Sequence, residues 1–446
     1  MNKRKVIVWS VTVAIGGFLF GFDTAVISGA EEAIQQYWNL TAFEHGFTIS
    51  VALIGTILGA LTGSIPSDKY GRKKTLILIA ITYLIASIGS AISTNWYLFI
   101  FFRFLGGVGV GASSVTAPVY ISEISPAAYR GRLVMMFQFN VVLGILISYL
   151  SNYLIGQLMG GHDASWRLML GIQAIPSLLF FIMLRFVPET PRWLVLKRNK
   201  IDEARNILKV INPEMYEADL QNIIANNHEE QKMDAAGTLF TKNNRLPIFM
   251  AICFAVFNQV SGINAIIYYA PRIFEMAGLG RQSSLLSTAG IGFVNFLFTM
   301  LAINFIDKIG RRTLMLIGSI GLIATLGLVS RTFYTEDFSG FGITIYLMMY
   351  IAFFAFSQGA VIWVFISEIF PNNVRAKGQT LGSFTHWVMA AIITFLFPIL
   401  AEKLGGGNTF LFFSVMMVLQ LLFVLKIMPE TKGKSLEQIE KTLVLH

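Results

Sequence analysis

The chain has 446 residues, 55% hydrophobic and 13% charged, and its 34 Lys and Arg outnumber its 25 Asp and Glu to give a net charge of +9. Soluble domains carry roughly 25% charged residues, so a water-soluble fold is excluded and a bilayer must supply the apolar surroundings. One cysteine, Cys253 in an apolar segment, and five histidines without ligand spacing leave neither a disulfide framework nor a metal site, and no cofactor is implied.

Twelve apolar segments follow one another along the chain, each about the length that crosses the hydrocarbon layer as a helix. They lie at 6–28, 47–66, 75–93, 97–121, 133–157 and 168–187, then at 247–270, 285–306, 313–333, 341–367, 378–402 and 409–428. Each must be helical, because the hydrocarbon offers no partner to a free backbone N–H or C=O. The short alternating strands of a membrane β-barrel are missing. The first segment carries Asp23 and no small-residue cleavage site, so it is a retained span and not a leader.

The basic residues gather in alternate connections: Lys3, Arg4 and Lys5; Lys69, Arg72, Lys73 and Lys74; the central segment; Lys308, Arg311 and Arg312; Arg375 and Lys377; and the tail. Cytoplasmic loops retain Lys and Arg, so both termini are expected in the cytoplasm. The same bias accounts for the net charge without a nucleic-acid partner. Between Pro188 and Pro247 the composition turns polar, with amphipathic stretches at 201–211 and 218–224 that read as short cytoplasmic helices.

Three charged signatures recur in order at an offset of about 240 residues. Asp68-Lys-Tyr-Gly-Arg72 returns as Asp307-Lys-Ile-Gly-Arg311, Ser122-Glu123 with Arg130 returns as Ser367-Glu368 with Arg375, and Pro188-Glu189-Thr190 returns as Pro429-Glu430-Thr431. The chain is therefore a duplication: a six-helix half at 1–187, a cytoplasmic helical linker at 188–246, a second six-helix half at 247–428 and a tail at 429–446. Glu123, Arg130, Glu189, Arg192, Glu368, Arg375 and Glu430 fall at cytoplasmic helix ends and are expected to form an ion-pair network that closes the inner side. The alternative is that they are solvated loop ends.

Gly-Arg-Lys and Gly-Arg-Arg after alternate helices, Pro188-Glu-Thr-Pro-Arg-Trp193, Gln259-Val-Ser-Gly-Ile-Asn264 and Pro429-Glu-Thr-Lys-Gly433 together resemble the sugar porter family of the major facilitator superfamily. The chain is similar to bacterial proton-coupled xylose and glucose symporters and to animal facilitative glucose carriers. The resemblance implies an all-α membrane protein of the major facilitator fold, moving a monosaccharide together with a proton by alternating access in a plasma or inner membrane, as a monomer. A facilitative uniporter and a sugar sensor that has lost transport are the competing readings; no enzymatic constellation is present.

Ionisable groups inside membrane spans are costly and functional by default. Asp23 and Arg103 each lie roughly 8 to 9 Å inside the outer boundary at about 1.5 Å per residue, so a pair is possible. The resemblance makes them the proton-coupling pair; a static packing salt bridge is the alternative. A sugar needs amides, hydroxyls and aromatic faces, and Asn258, Gln259, Asn264, Tyr268 and Asn295 offer them in the second half. The resemblance adds Phe20, Gln138, Trp363, His386 and Trp387. Asn258, Ala360 and His386 depart from the family's usual glutamine, proline and amide. His386 is also a second candidate for proton binding. Gly55, Gly59 and Gly63, with Gly107, Gly109 and Gly111, read as close-packing devices.

Overall fold

The computed structural model describes residues 3–126, 129–159, 164–233, 238–338, 341–371, 374–434 and 438–439. Most of the tail expected at 429–446 and part of the linker lie outside these residues. All regular structure among them is helical. The first half runs α1 (Lys3–Val26), a short 3-10 turn, α2 (Glu31–Trp38), α3 (Ala42–Thr62), α4 (Ser64–Tyr70), α5 (Arg72–Ile92), α6 (Trp96–Ile124), α7 (Arg130–Leu158), α8 (Ser165–Gly171) and α9 (Ala174–Leu184). Then come α10 (Pro191–Arg198), α11 (Ile201–Ile211) and α12 (Tyr216–Met233), where the amphipathic stretches predict helices. The second half runs α13 (Arg245–Val260), α14 (Ile263–Met276), α15 (Arg281–Ile309), α16 (Arg311–Thr335), α17 (Gly342–Phe356), α18 (Gln358–Ile369) and α19 (Arg375–Lys426).

Eleven stretches among the described residues are long and apolar enough to cross a bilayer. The last, α19, has 52 residues. At about 1.5 Å per residue it is far longer than one crossing. It breaks at Gly405, whose φ of 77° is left-handed, and the break divides it into two spans. The count of twelve expected from the sequence follows. The seventh span is α13 and α14, parted at Gly262 (φ 87°), where a Cβ would lie 2.7 Å from the ring of Phe413. The tenth span is α17 and α18, parted at Ser357 (φ −117°, ψ −91°).

The chain packs as two compact units. The first comprises residues 1–26, 51–148 and 164–236, and the second residues 27–50, 149–163 and 237–446. Packing therefore does not follow the sequence repeat: 27–50 and 149–163 come from the first half and lie in the second unit. In the first unit the polar helices have their own core, with Trp193, Leu194, Ala204, Leu208 and Leu220 buried together. In the second, Phe254, Phe365, Leu314, Ile366 and Val424 are among the buried residues that join α13, α16, α18 and α19.

Glycine lets backbones meet where a side chain would not fit. A Cβ on Gly107 would overlap the carbonyl oxygen of Ala52, and one on Gly111 that of Thr56, so α3 and α6 touch through main chain. Gly107→Val is therefore expected to lower stability by about 1–3 kcal/mol. Gly131→Ala, at a position with nothing within 4 Å of an added Cβ, should be neutral. Thermal unfolding of the two variants in the same detergent checks both.

Candidate functional site

In the first unit, α1 carries Asp23 and α6 carries Arg103. Their side chains meet with Arg103 Nη1 donating to Asp23 Oδ1 at 3.1 Å, at 4% and 3% exposure. The contact is a single hydrogen bond. Arg103 Nε and Nη2 are buried without a hydrogen-bond partner. A one-point pair of this kind keeps the two charges but leaves much of the guanidinium unsatisfied, so it costs less to separate than a bidentate fork. Phe20 on α1 and Gln138 on α7 belong to the same unit and are half-buried.

In the second unit, Asn258 and Gln259 end α13 and Asn264 begins α14, on either side of the Gly262 break. The three amides meet across that break. Asn264 Nδ2 donates to Gln259 Oε1 at 2.6 Å, and Gln259 Nε2 donates to Asn258 Oδ1 at 2.9 Å. Gln259 Nε2 also lies 3.2 Å from His386 Nδ1. His386 stands between two indoles, its ring centroid 4.9 Å from that of Trp363 and 5.0 Å from that of Trp387. One chain of polar groups bounded by flat apolar rings thus joins six of the predicted residues. Tyr268 is buried in the same unit, and Asn295 is half-buried on α15.

The recurring charged signatures build the same clasp once in each unit. Glu189 Oε1 accepts from the backbone N–H of Arg72 at 3.1 Å, and Glu189 Oε2 accepts from that of Lys73 at 3.1 Å. Glu430 Oε1 and Oε2 accept from the N–H of Arg311 and Arg312 at 2.9 and 3.0 Å. Each carboxylate therefore caps the start of its unit's third span, where free N–H groups and the helix dipole favour a negative charge. Glycine precedes each start because the chain takes φ 102° at Gly71 and 101° at Gly310, and a Cβ there would run into the carboxylate. Burial pushes the Glu189 carboxyl above the usual carboxylate range, against the N–H bonds and Arg72 that hold it down.

The side chains of Arg72 and Arg311 turn to the next signature. Arg72 Nη2 meets Glu123 at 3.1 Å and Arg311 Nη2 meets Glu368 at 2.8 Å. Sequence reasoning placed both arginines in the repeat but not among the partners of these carboxylates; their recurrence beside Gly71 and Gly310 was the available signal. Among the other expected gate residues, Arg130 donates to the Ser122 carbonyl at 3.1 Å. Arg375 Nε and Nη2 are buried without a hydrogen-bond partner. Glu123, Arg130 and Arg192 line a cavity of about 550 Å³ together with Asn212 and Asp219.

Twelve spans, a duplicated charged clasp, a buried carboxylate–guanidinium pair and an amide cluster walled by indoles define a polytopic membrane transporter. The profile described as "Sugar (and other) transporter" matches residues 9–443, and the chain belongs to this family of transporters, which are not enzymes. It is 38% identical to the arabinose-proton symporter of Bacillus subtilis over 98% of this chain and 94% of that protein. It is 35% identical to the D-xylose-proton symporter of Escherichia coli over 98% of this chain and 96% of that one. The inward open structure of the xylose transporter XylE from E. coli superposes with a TM-score of 0.87 at 33% identity, covering 98% of this chain and 99% of that one.

Removing one partner of a buried pair strands the other, at about 3–5 kcal/mol. Arg72→Ala and Arg311→Ala are expected to destabilise by amounts approaching this, and lysine at either position should recover only part, lacking the planar fork. Thermal unfolding of the four purified variants checks the order.

Proposed function

We propose that this chain is a secondary active transporter that moves a monosaccharide together with a proton by alternating access. The observation that carries the proton is the buried, one-point pair of Asp23 and Arg103. Burial disfavours the charged carboxylate and the guanidinium favours it, so a movement that draws Arg103 away lets Asp23 take up a proton. A proton bound only when the pair is apart ties proton movement to the conformational cycle. The arabinose-proton and D-xylose-proton symporters among its relatives support the same reading.

The amide chain of Asn258, Gln259 and Asn264, with His386, Trp363 and Trp387, is the proposed sugar-binding set of the second unit. Hydroxyl groups exchange hydrogen bonds with the amides while the indoles cover the sugar's C–H faces. Tyr268 and Asn295 complete it, and Phe20 and Gln138 keep the sugar-binding roles that the family resemblance gives them. His386 in place of an amide alters pocket size and donor pattern, and with them the choice of sugar. The basic connections support a reading with both termini in the cytoplasm, and the protein is proposed to act as a monomer in the plasma membrane. The clasps of Glu189 and Glu430, with Glu123, Arg130, Arg192, Glu368 and Arg375, then form the inner gate. A uniporter is the nearest alternative, and the buried Asp23 argues against it.

In proteoliposomes, Asp23→Asn should reduce uphill accumulation driven by a pH gradient to the background level while leaving counterflow exchange of the same sugar within a few-fold of the unmodified protein. Counterflow with a panel of pentoses and hexoses identifies the substrate. Accumulation that survives in Asp23→Asn would overturn the proton assignment, and failure to exchange any monosaccharide would overturn the sugar assignment.

A further inference from the structure

The second unit contains a group of six ionisable side chains that neither the amide cluster nor the clasps use. Residues 27–50, from the first half, supply Glu31 and Glu32 on α2 and His45 on α3. The seventh and eighth spans supply Arg272 and Glu275 on α14 and Arg281 at the start of α15. Glu31 lies at the centre of one triad: Oε2 is 2.6 Å from His45 Nε2 and Oε1 is 3.1 Å from Arg272 Nε. Arg272 Nη2 also donates to Gln35 Oε1. Glu31 and His45 are 1% and 0% exposed. With Nε2–H donating to Glu31, this triad is one cation and one anion. His45 Nδ1 is buried without a hydrogen-bond partner.

The second triad is not balanced. Arg281 Nη1 lies 2.8 Å from Glu32 Oε2 and 3.7 Å from Glu275 Oε1, and its Nη2 donates to the Gly29 carbonyl at 3.1 Å. Glu32 and Glu275 therefore converge on one guanidinium nitrogen. Glu275 Oε1 is buried and accepts no hydrogen bond. One guanidinium thus serves two carboxylates, and the one excess negative charge is removed by one shared proton.

The remaining neighbours do not alter the balance. Glu44 on α3 is exposed and turns to Thr41. Tyr269 lays its ring edge-on to His45 at 5.9 Å and donates its hydroxyl to the Thr394 carbonyl. The α7 segment offers Asn152 against Gly29, and α19 offers the carbonyl of Phe395 against Gly46; neither carries a charge.

We infer that Glu32 and Glu275 form a second proton-binding site, occupied when residues 27–50 are packed on α14 and α15, and that this proton latches the outer ends of the helices together. Calling these ends outer rests on the orientation proposed above. The proton is bound in the packed state and released on opening, so acid favours packing and the latch loosens as pH rises. With one proton linked, the ratio of packed to open changes by at most about tenfold per pH unit.

The test places spin labels at the exposed Tyr37 and Phe341 in a Cys253→Ala background and measures their separation by pulsed electron resonance in nanodiscs from pH 5 to pH 8. The short-distance population should fall as pH rises. Glu275→Gln and Glu32→Gln, which mimic the protonated acid, should each hold the short distance and flatten the pH response. In Asp23→Asn the response should persist. A pH response that survives in both glutamine variants, or no response in the unmodified protein, overturns the latch. A response lost in Asp23→Asn and kept in Glu275→Gln assigns it to Asp23 and likewise overturns the latch. Nanodiscs expose both faces to one pH, so an error in the proposed orientation changes none of these outcomes, and Asp23→Asn accumulation tests proton coupling separately.

Discussion

Hydrocarbon has no hydrogen-bonding partner to offer, and most of this structure is a response to that lack. Backbone groups are satisfied within helices. Short polar side chains bond back to the preceding turn, as Thr56 does to Ala52 at 2.9 Å and Ser319 to Met315 at 2.7 Å. With no water to expel between apolar helices, association relies on close main-chain contact, which the glycines at 107 and 111 permit. In such a medium a charged pair held by one hydrogen bond, with two guanidinium nitrogens idle, stands out. The proposal that the Asp23 and Arg103 contact opens rests on this one-point geometry.

The same medium made much of the fold readable. Spans are long, apolar and countable, and equal depth from the helix ends was enough to bring Asp23 opposite Arg103. Asn258, Gln259 and Asn264 were legible as a set of amides within one span, and the structure breaks that span between them at Gly262. The direct joining of the last two spans through a single break at Gly405 was less visible, since Gly405, Gly406 and Gly407 together mark a bend without specifying its form.

What the sequence hid were contacts between charges far apart in the chain. Glu31, Glu32, His45, Arg272, Glu275 and Arg281 sit near span ends, where ionisable residues are ordinary and carry no signal of depth. Arg272 and Arg281 were in fact unusual, because the connections on that face are otherwise poor in basic residues. Likewise, Arg72 and Arg311 read as loop charges, and only the backbone turn at the preceding glycines brings their guanidiniums to Glu123 and Glu368. The two halves share this scaffold and differ in its use: positions 262 to 268, which correspond to Asp23 in the repeat, hold Asn264 and Tyr268 and no carboxylate.

The clasps at Glu189 and Glu430 bear on how the chain is made. Each is formed by a carboxylate just beyond the sixth span of a half and the start of the third span of that same half, about 118 residues earlier. The first half is therefore fastened to itself by a residue that comes just before the polar helices begin. The duplication thus gives each copy a fastening that needs no residue of the other.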